Sequence, residues 1–142
     1  MAEKLNGVYA LEIHMDKDVK VKVGALGEIA FKEGTYVYVG SAQRNLEKRM
    51  QRHLRKQKRL FWHIDYLLND DHAKITKALL KRAGKTEECT IAQELEIHGE
   101  PVAGFGCSDC QCQSHLLWFP AGFSTVQLGA FAAADGWHVF EA

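Results

Sequence analysis

With 142 residues, 46% of them hydrophobic, 25% charged and only two prolines, the chain is long enough for one globular domain with its own core, expected over 1–142. No apolar run is long enough to span a membrane, and Met1 to Asn6 lack the apolar stretch of a signal peptide, so a cytoplasmic protein without a membrane partner is expected. Net charge is zero, but Arg44 to Arg59 holds eight Lys or Arg against one acid, Glu47, so that segment carries +7 and the rest of the chain −7.

The first segment, Asn6 to His14, alternates, with Tyr9, Leu11 and Ile13 on one face and Val8, Ala10, Glu12 and His14 on the other, and reads as a strand. Asp16-Lys17-Asp18 is a polar turn. Val19, Val21 and Val23 then alternate with Lys20 and Lys22, which predicts a second strand in a hairpin with the first. Gly24, Gly27 and Gly34 punctuate a less regular connection through Ile29 and Phe31. Thr35 to Val39, β-branched and aromatic in alternation and closed by Gly40-Ser41, returns as a third antiparallel strand that hands the chain to a helix.

That helix is cationic. Leu46, Met50 and Leu54 recur at i, i+4 and i+8 as a buried stripe, which puts Arg49 and His53 at the rim of the core. Arg44, Lys48, Arg52, Arg55 and Arg59 are expected on the opposite, outward face. Such a run after a glycine turn is either a solvated helix face or a footprint of nucleic-acid binding.

Leu60 to Leu68 is dense in large apolar groups and predicts a short helix packed on the sheet, with His63 and Asp65 as its polar exceptions. Ala73 to Arg82 is helical by composition and a strand by position. Thr86 is a plausible cap for a helix from Glu87 to about Glu96, and Glu87 and Glu88 suit its amino-terminal dipole.

Three of the four cysteines fall in Cys107-x-x-Cys110-x-Cys112-x-x-His115. This is not the spread framework of a small secreted protein. It has enough soft ligands for zinc, but a single residue between Cys110 and Cys112 fits structural zinc spacing poorly, so small buried thiols in a glycine-bounded loop are expected instead. Ser114 to Phe119 reads as a last strand. Beyond Pro120 the extension holds Phe123, Val126, Leu128, Phe131, Trp137, Val139 and Phe140, apolar enough to pack on the domain or on a second copy of the chain as a homodimer.

Gly7-Val8-Tyr9 on one strand, Tyr38-Val39-Gly40 on a later one, a helix carrying Arg49 and His53, and a Glu on a downstream helix resemble the GIY-YIG nuclease superfamily. Trp62 to Leu67, Glu88-Cys89 and Gly104 to His115 resemble a branch of it known as a domain of unknown function, sometimes fused to endonuclease III. The resemblance runs from about Gly7 to Leu117. It implies an α+β fold with a small central antiparallel sheet flanked by helices, a domain core of about 6–118, and a Cys-containing carboxy-terminal extension over 119–142. Tyr9 and Tyr38 are 29 positions apart, a longer link than in well-studied members, so substrate geometry does not transfer.

Phosphodiester hydrolysis needs a base for water, positive charge on the phosphate and usually a divalent ion. The resemblance implies that Tyr9 contacts or activates the water, that Tyr38 supports it, that Arg49 stabilises the phosphate, and that Glu88 holds one Mg²⁺ or Mn²⁺. Glu87 and Glu94 are open alternatives to Glu88. His53 is either a base, since imidazole titrates near ~6.5, or an orienting group. Gly40, Ser41, Arg44, Lys48, Arg52, Arg55, Arg59 and His63 are the candidate DNA contacts. The expected partner is DNA, branched or damaged as in repair, and the alternative is a binding module with the same fold and no turnover.

Overall fold

The computed structural model describes residues 7–42, 46–55, 63–82, 86–102, 105, 114–120 and 137–140. The fold is α+β, as expected, and β1 (Gly7–Met15) is its centre. It pairs antiparallel with β4 (Gly34–Ala42) from Gly7↔Ala42 to Met15↔Gly34, and on its other side with β5 (Ala73–Lys81). Being covered on both faces, β1 is buried almost throughout, which is why its even as well as its odd positions include apolar residues.

Outside β4 lie β7 (Leu116–Phe119) and the two-residue β6 (Glu100–Pro101), and outside β5 lies β8 (His138–Val139). The resulting antiparallel sheet runs β6-β7-β4-β1-β5-β8. The ambiguity over Ala73 to Arg82 resolves as a strand: pairing with the open side of β1 outweighs the helix preference of Ala, Leu and Lys.

The predicted hairpin of the first two strands does not form. Val19–Lys22 (β2) pairs instead with Glu28–Phe31 (β3) in a separate two-stranded arm, within the segment expected to be an irregular connection. Val23 closes the arm against Gly27 through a 2.8 Å backbone bond, and Gly24–Leu26 makes a single tight helical turn between the two strands. The arm directs Val19, Val21, Ile29 and Phe31 at the core, so its apolar face is satisfied by the main domain rather than by β1 backbone.

One face of the sheet carries Tyr9, Leu11, Ile13, Tyr36 and Tyr38. It is covered by the arm and by two helices, α1 (Leu46–Leu54) and α2 (His63–Leu68). The other face carries Val8, Ala10, Val37 and Val39. It is covered by Ile91 and Leu95 of α3 (Thr86–His98) and by Trp137. Within the extension, Trp137 is buried and Phe140 packs on the sheet face that carries Tyr9, so these two pack on their own domain, whereas Val139, expected to pack as well, is 52% exposed; Phe123, Val126, Leu128 and Phe131 lie outside the described residues.

Candidate active site

The carboxy-terminal end of β4 and the amino-terminal end of β1 meet at the pair Tyr9↔Gly40. A Cβ at position 40 would overlap the Tyr9 hydroxyl, and one at position 7 would overlap the Lys81 carbonyl oxygen. The two glycines therefore have a physical role. Gly7 lets β5 close on β1, and Gly40 leaves room for the Tyr9 ring across the strand pair.

Leu46 and Met50 anchor α1 on this face, and Leu54 is half-buried at the end of the same stripe. Three residues after Met50, His53 turns inward and its Nε2 is hydrogen-bonded to the Tyr9 hydroxyl at 2.8 Å. Tyr38 completes the cluster, its ring centre 6.3 Å from that of Tyr9 and 6.4 Å from that of His53. His53 is expected at the rim, yet it is only 2% exposed, because the Tyr9 hydroxyl draws the imidazole under the helix.

Arg49, one turn earlier, is half-buried and donates from Nη1 to the Ser41 carbonyl at 2.7 Å. The Ser41 hydroxyl in turn donates to Glu88 Oε2 at 2.8 Å, and Glu88 Oε1 lies 3.2 Å from His115 Nδ1. Cys89 Sγ is 3.8 Å from the other nitrogen of that imidazole. Ser41 thus connects the two halves of the site, one from α1 and one from α3.

This contact also separates the three candidate carboxylates. Glu87 pairs with Lys81 at 3.1 Å, Glu94 is exposed, and only Glu88 faces the site. Its carboxylate, 14% exposed, is the described group best suited to a hard divalent ion, which accepts one carboxylate and retains several waters. Among the described residues no group of three or more His, Cys, Asp or Glu forms a denser ligand set. The donor chemistry fits Mg²⁺ or Mn²⁺ held at Glu88.

Burial pushes the Tyr9 phenol well above its ordinary value, and the neighbouring Tyr38 and Glu88 push the same way. The Arg49 guanidinium opposes them by charge and by hydrogen bonding, but it does not win. Tyr38 is raised too, by burial first and then by Glu88 and Asp65. Both tyrosines are protonated at neutral pH, so neither is a ready phenolate base.

The outward set on α1 needs one correction. Lys48 and Arg55 are exposed as expected, but Arg52 reaches across to α2 and holds the fully buried Asp65 with two bonds of 2.8 and 2.9 Å. The hydrogen bonds to Asp65 raise the pKa of Arg52 further. A buried carboxylate requires a partner, and a long guanidinium satisfies it from a position that a helical wheel assigns to solvent. His63 packs edge-on against Phe105, which also touches Tyr38, so it sits beside the aromatic cluster. Arg44, Arg59, Cys107, Cys110 and Cys112 lie outside the described residues.

Two participants are left open by the sequence. Asp65 reads there either as a satisfied group at the edge of the core or as part of the site, and His115 either as a member of the cysteine loop or as a group turned to the active face; the structure sets Asp65 against Arg52 and His115 beside Glu88 and Cys89. A cavity of about 310 Å³ next to His53, with Arg55, Lys74 and Asp71 in its lining, gives the buried imidazole a polar neighbourhood on the side of β5. No helix among the described residues is long and apolar enough to cross a membrane.

The family described as domain of unknown function DUF123 matches residues 8–139, nearly the whole chain, and the chain belongs to that family. No curated protein and no solved structure matches it significantly.

Proposed function

We propose that this DUF123 member is a metal-dependent endonuclease that hydrolyses phosphodiester bonds in branched or damaged DNA, as its resemblance to the GIY-YIG nucleases implies. The observation that carries this reading is the convergence of Tyr9, Tyr38, His53, Arg49 and Glu88 at one end of the β1–β4 pair, joined through Ser41. Chemically different groups from four elements, β1, β4, α1 and α3, meet there, whereas a purely structural end of a sheet needs only apolar side chains.

In this reading the scissile phosphate lies against Arg49, whose planar fork braces two equatorial oxygens. Because burial keeps the Tyr9 phenol protonated, the chain's own proton acceptor is His53. The attacking water gives its proton to the Tyr9 oxygen as the Tyr9 proton passes to His53 Nε2; hydroxide forms the new P–O bond, and the bond to the leaving oxygen breaks, that oxygen keeping the electron pair and taking a proton from solvent while His53 later returns its own. Glu88 would hold the divalent ion, with the Ser41 hydroxyl bonded to one of its oxygens and His115 Nδ1 close to the other. When bound, that ion supplies positive charge for the leaving oxygen. Lys48 and Arg55, exposed on α1, supply non-specific attraction for the duplex.

The near-complete burial of Tyr9 and His53 favours a second reading, a nucleic-acid-binding module without turnover. Nicking of a plasmid or a branched duplex in Mg²⁺ or Mn²⁺ separates the two. Wild type is expected to nick, a chelator to stop it, and Glu88→Ala to bind DNA within about threefold of wild type while losing at least about a hundredfold in rate. Absence of nicking by wild type on every branched, nicked or single-stranded substrate leaves the binding module as the function.

A further inference from the structure

A cavity of about 610 Å³ lies at the opposite end of β4 from Ser41, between the β2–β3 arm and the β6–β7 edge. Its walls include Phe31, Tyr36 and Trp118, with Val19 and Pro101 closing the sides. We infer that it receives an unpaired nucleobase of the DNA strand whose phosphate lies at Arg49, an assignment that rests on the nucleic-acid reading above and names the feature of DNA that is recognised.

One wall suits a flat ligand: Phe31 and Tyr36 are buried behind the cavity, and Trp118 supplies its accessible ring. Trp118 on β7 is the direct cross-strand partner of Tyr36 on β4, and its indole is held by a 3.0 Å bond from Nε1 to the Glu33 carbonyl. The Lys32 ammonium sits 3.7 Å from the centre of its ring. That lysine also pairs with Glu100 at 2.8 Å, but the two side chains are 48% and 62% exposed, and an exposed ion pair holds its partners weakly. Lys32 can leave the indole, and the face it uncovers is a stacking platform of the kind that single-stranded nucleic acid uses.

The rim requires a ligand with mixed edges. Lys20 and Lys32 offer donors, while Asp18 and Glu100 offer acceptors. Two carboxylates repel a bare phosphate, and four charges disfavour an acyl chain. A base, planar and neutral with both donors and acceptors on its edge, meets all four. The volume suits such a group with its sugar.

The spacing suits a strand already bound at the site. Tyr36 is two residues from Tyr38 and five from Ser41 on β4, roughly 7 to 17 Å at ~3.3 Å per residue. One strand of a duplex advances about 3.4 Å per nucleotide, so the cavity lies about two to five nucleotides from the phosphate at Arg49. Between the two positions the aromatic layer is unbroken: Phe31 touches Tyr36 and Phe105 with ring centres 5.8 and 6.3 Å apart, and Phe105 touches Tyr38 at 6.2 Å. Taking a base out of a stack is easiest where it is mismatched, damaged or already unpaired, so the cavity would select distorted DNA without reading its sequence.

The test compares a single-stranded oligonucleotide of about twelve nucleotides with the same sugar-phosphate backbone made abasic, both binding to the full chain at one salt concentration. Wild type is expected to prefer the strand with bases about tenfold, the effect of one stacked base. Trp118→Leu, which keeps apolar bulk without a π face, should bring the ratio close to one and leave affinity for the abasic strand unchanged; Trp118→Phe should restore most of it. Equal affinities in wild type, a ratio that survives Trp118→Leu, loss of both affinities in that variant, or binding of neither strand overturns the assignment. Cleavage is not needed for the measurement. A chain that discriminates but never cuts keeps the cavity assignment and loses the nuclease reading, and a chain that cuts without discriminating does the reverse.

Discussion

In the proposed hydrolysis Arg49 and Tyr9 would divide the chemistry between an always-charged fork and a phenol that burial keeps neutral. A lysine at position 49 preserves the charge but offers only one ammonium, unable to hold the Ser41 carbonyl and brace two phosphate oxygens together. Arg49→Lys is therefore expected to keep the fold and most DNA affinity while lowering single-turnover cleavage at least about a hundredfold, in the range of one strong transition-state interaction. A normal rate in that variant removes Arg49 from the phosphate. At this scale the sequence is informative wherever residue type and chemistry coincide: the two tyrosines, the arginine and the carboxylate candidates stand in their motifs. It does not choose among Glu87, Glu88 and Glu94, since the choice is made by Ser41, 47 positions away from Glu88 in the chain. Nor does it show that His53 is drawn under α1, because its partner is on the first strand.

Helix α1 works with two faces that a helical wheel separates only in part. Lys48 and Arg55 point to solvent, whereas Arg52 crosses to α2 and neutralises a carboxylate with no exposure of its own. The two kinds of cation should respond differently to substitution. Lys48→Glu with Arg55→Glu is expected to weaken DNA binding and to reduce the slope of log affinity against log salt by about two units, roughly one for each phosphate no longer neutralised, without changing stability. Arg52→Ala should leave that slope nearly unchanged but cost about 3 to 5 kcal/mol in urea unfolding, because the buried Asp65 loses the guanidinium that neutralises its charge. The reverse pattern would mean that the assignment of the faces is wrong. Apolar periodicity locates α1 and α2 in the sequence, but a long polar side chain can reach past its own face, and periodicity is blind to that.

The whole molecule is organised by β1, whose two neighbours along its length, β4 and β5, come from far along the chain. Alternation along Gly7 to His14 and Thr35 to Val39 makes the central strands legible, and the two-sided burial of β1 explains why the apolar pattern extends to both faces. Pairing is what local pattern does not carry: Val19 to Val23 reads as a hairpin partner of β1 but pairs with β3, and Ala73 to Lys81 reads either way, because partners are chosen by the assembled sheet rather than by local residues. Burial of Tyr9, Tyr36 and Tyr38 gives the fold a signature in alkali. Burial is the first cause that raises each phenol. Above pH ~10 the unfolded chain releases protons that the folded chain retains, so the unfolded state binds fewer protons and stability falls as pH rises, by at most about 1.4 kcal/mol per pH unit for each tyrosine. The melting temperature is expected to be level between about pH 7 and 9 with respect to these groups and to decline above ~10, less steeply in Tyr38→Phe; an identical decline in that variant would place Tyr38 in solvent.

The measurement that bears most directly on the function is the single-turnover cleavage rate of Tyr9→Phe on a branched duplex in Mg²⁺ or Mn²⁺, with DNA affinity measured on the same protein. Phenylalanine keeps the ring across from Gly40 and removes only the oxygen bonded to His53. A rate at least about a hundredfold below wild type at near-equal affinity is expected. Cleavage by Tyr9→Phe at the wild-type rate would contradict a site built around that hydroxyl.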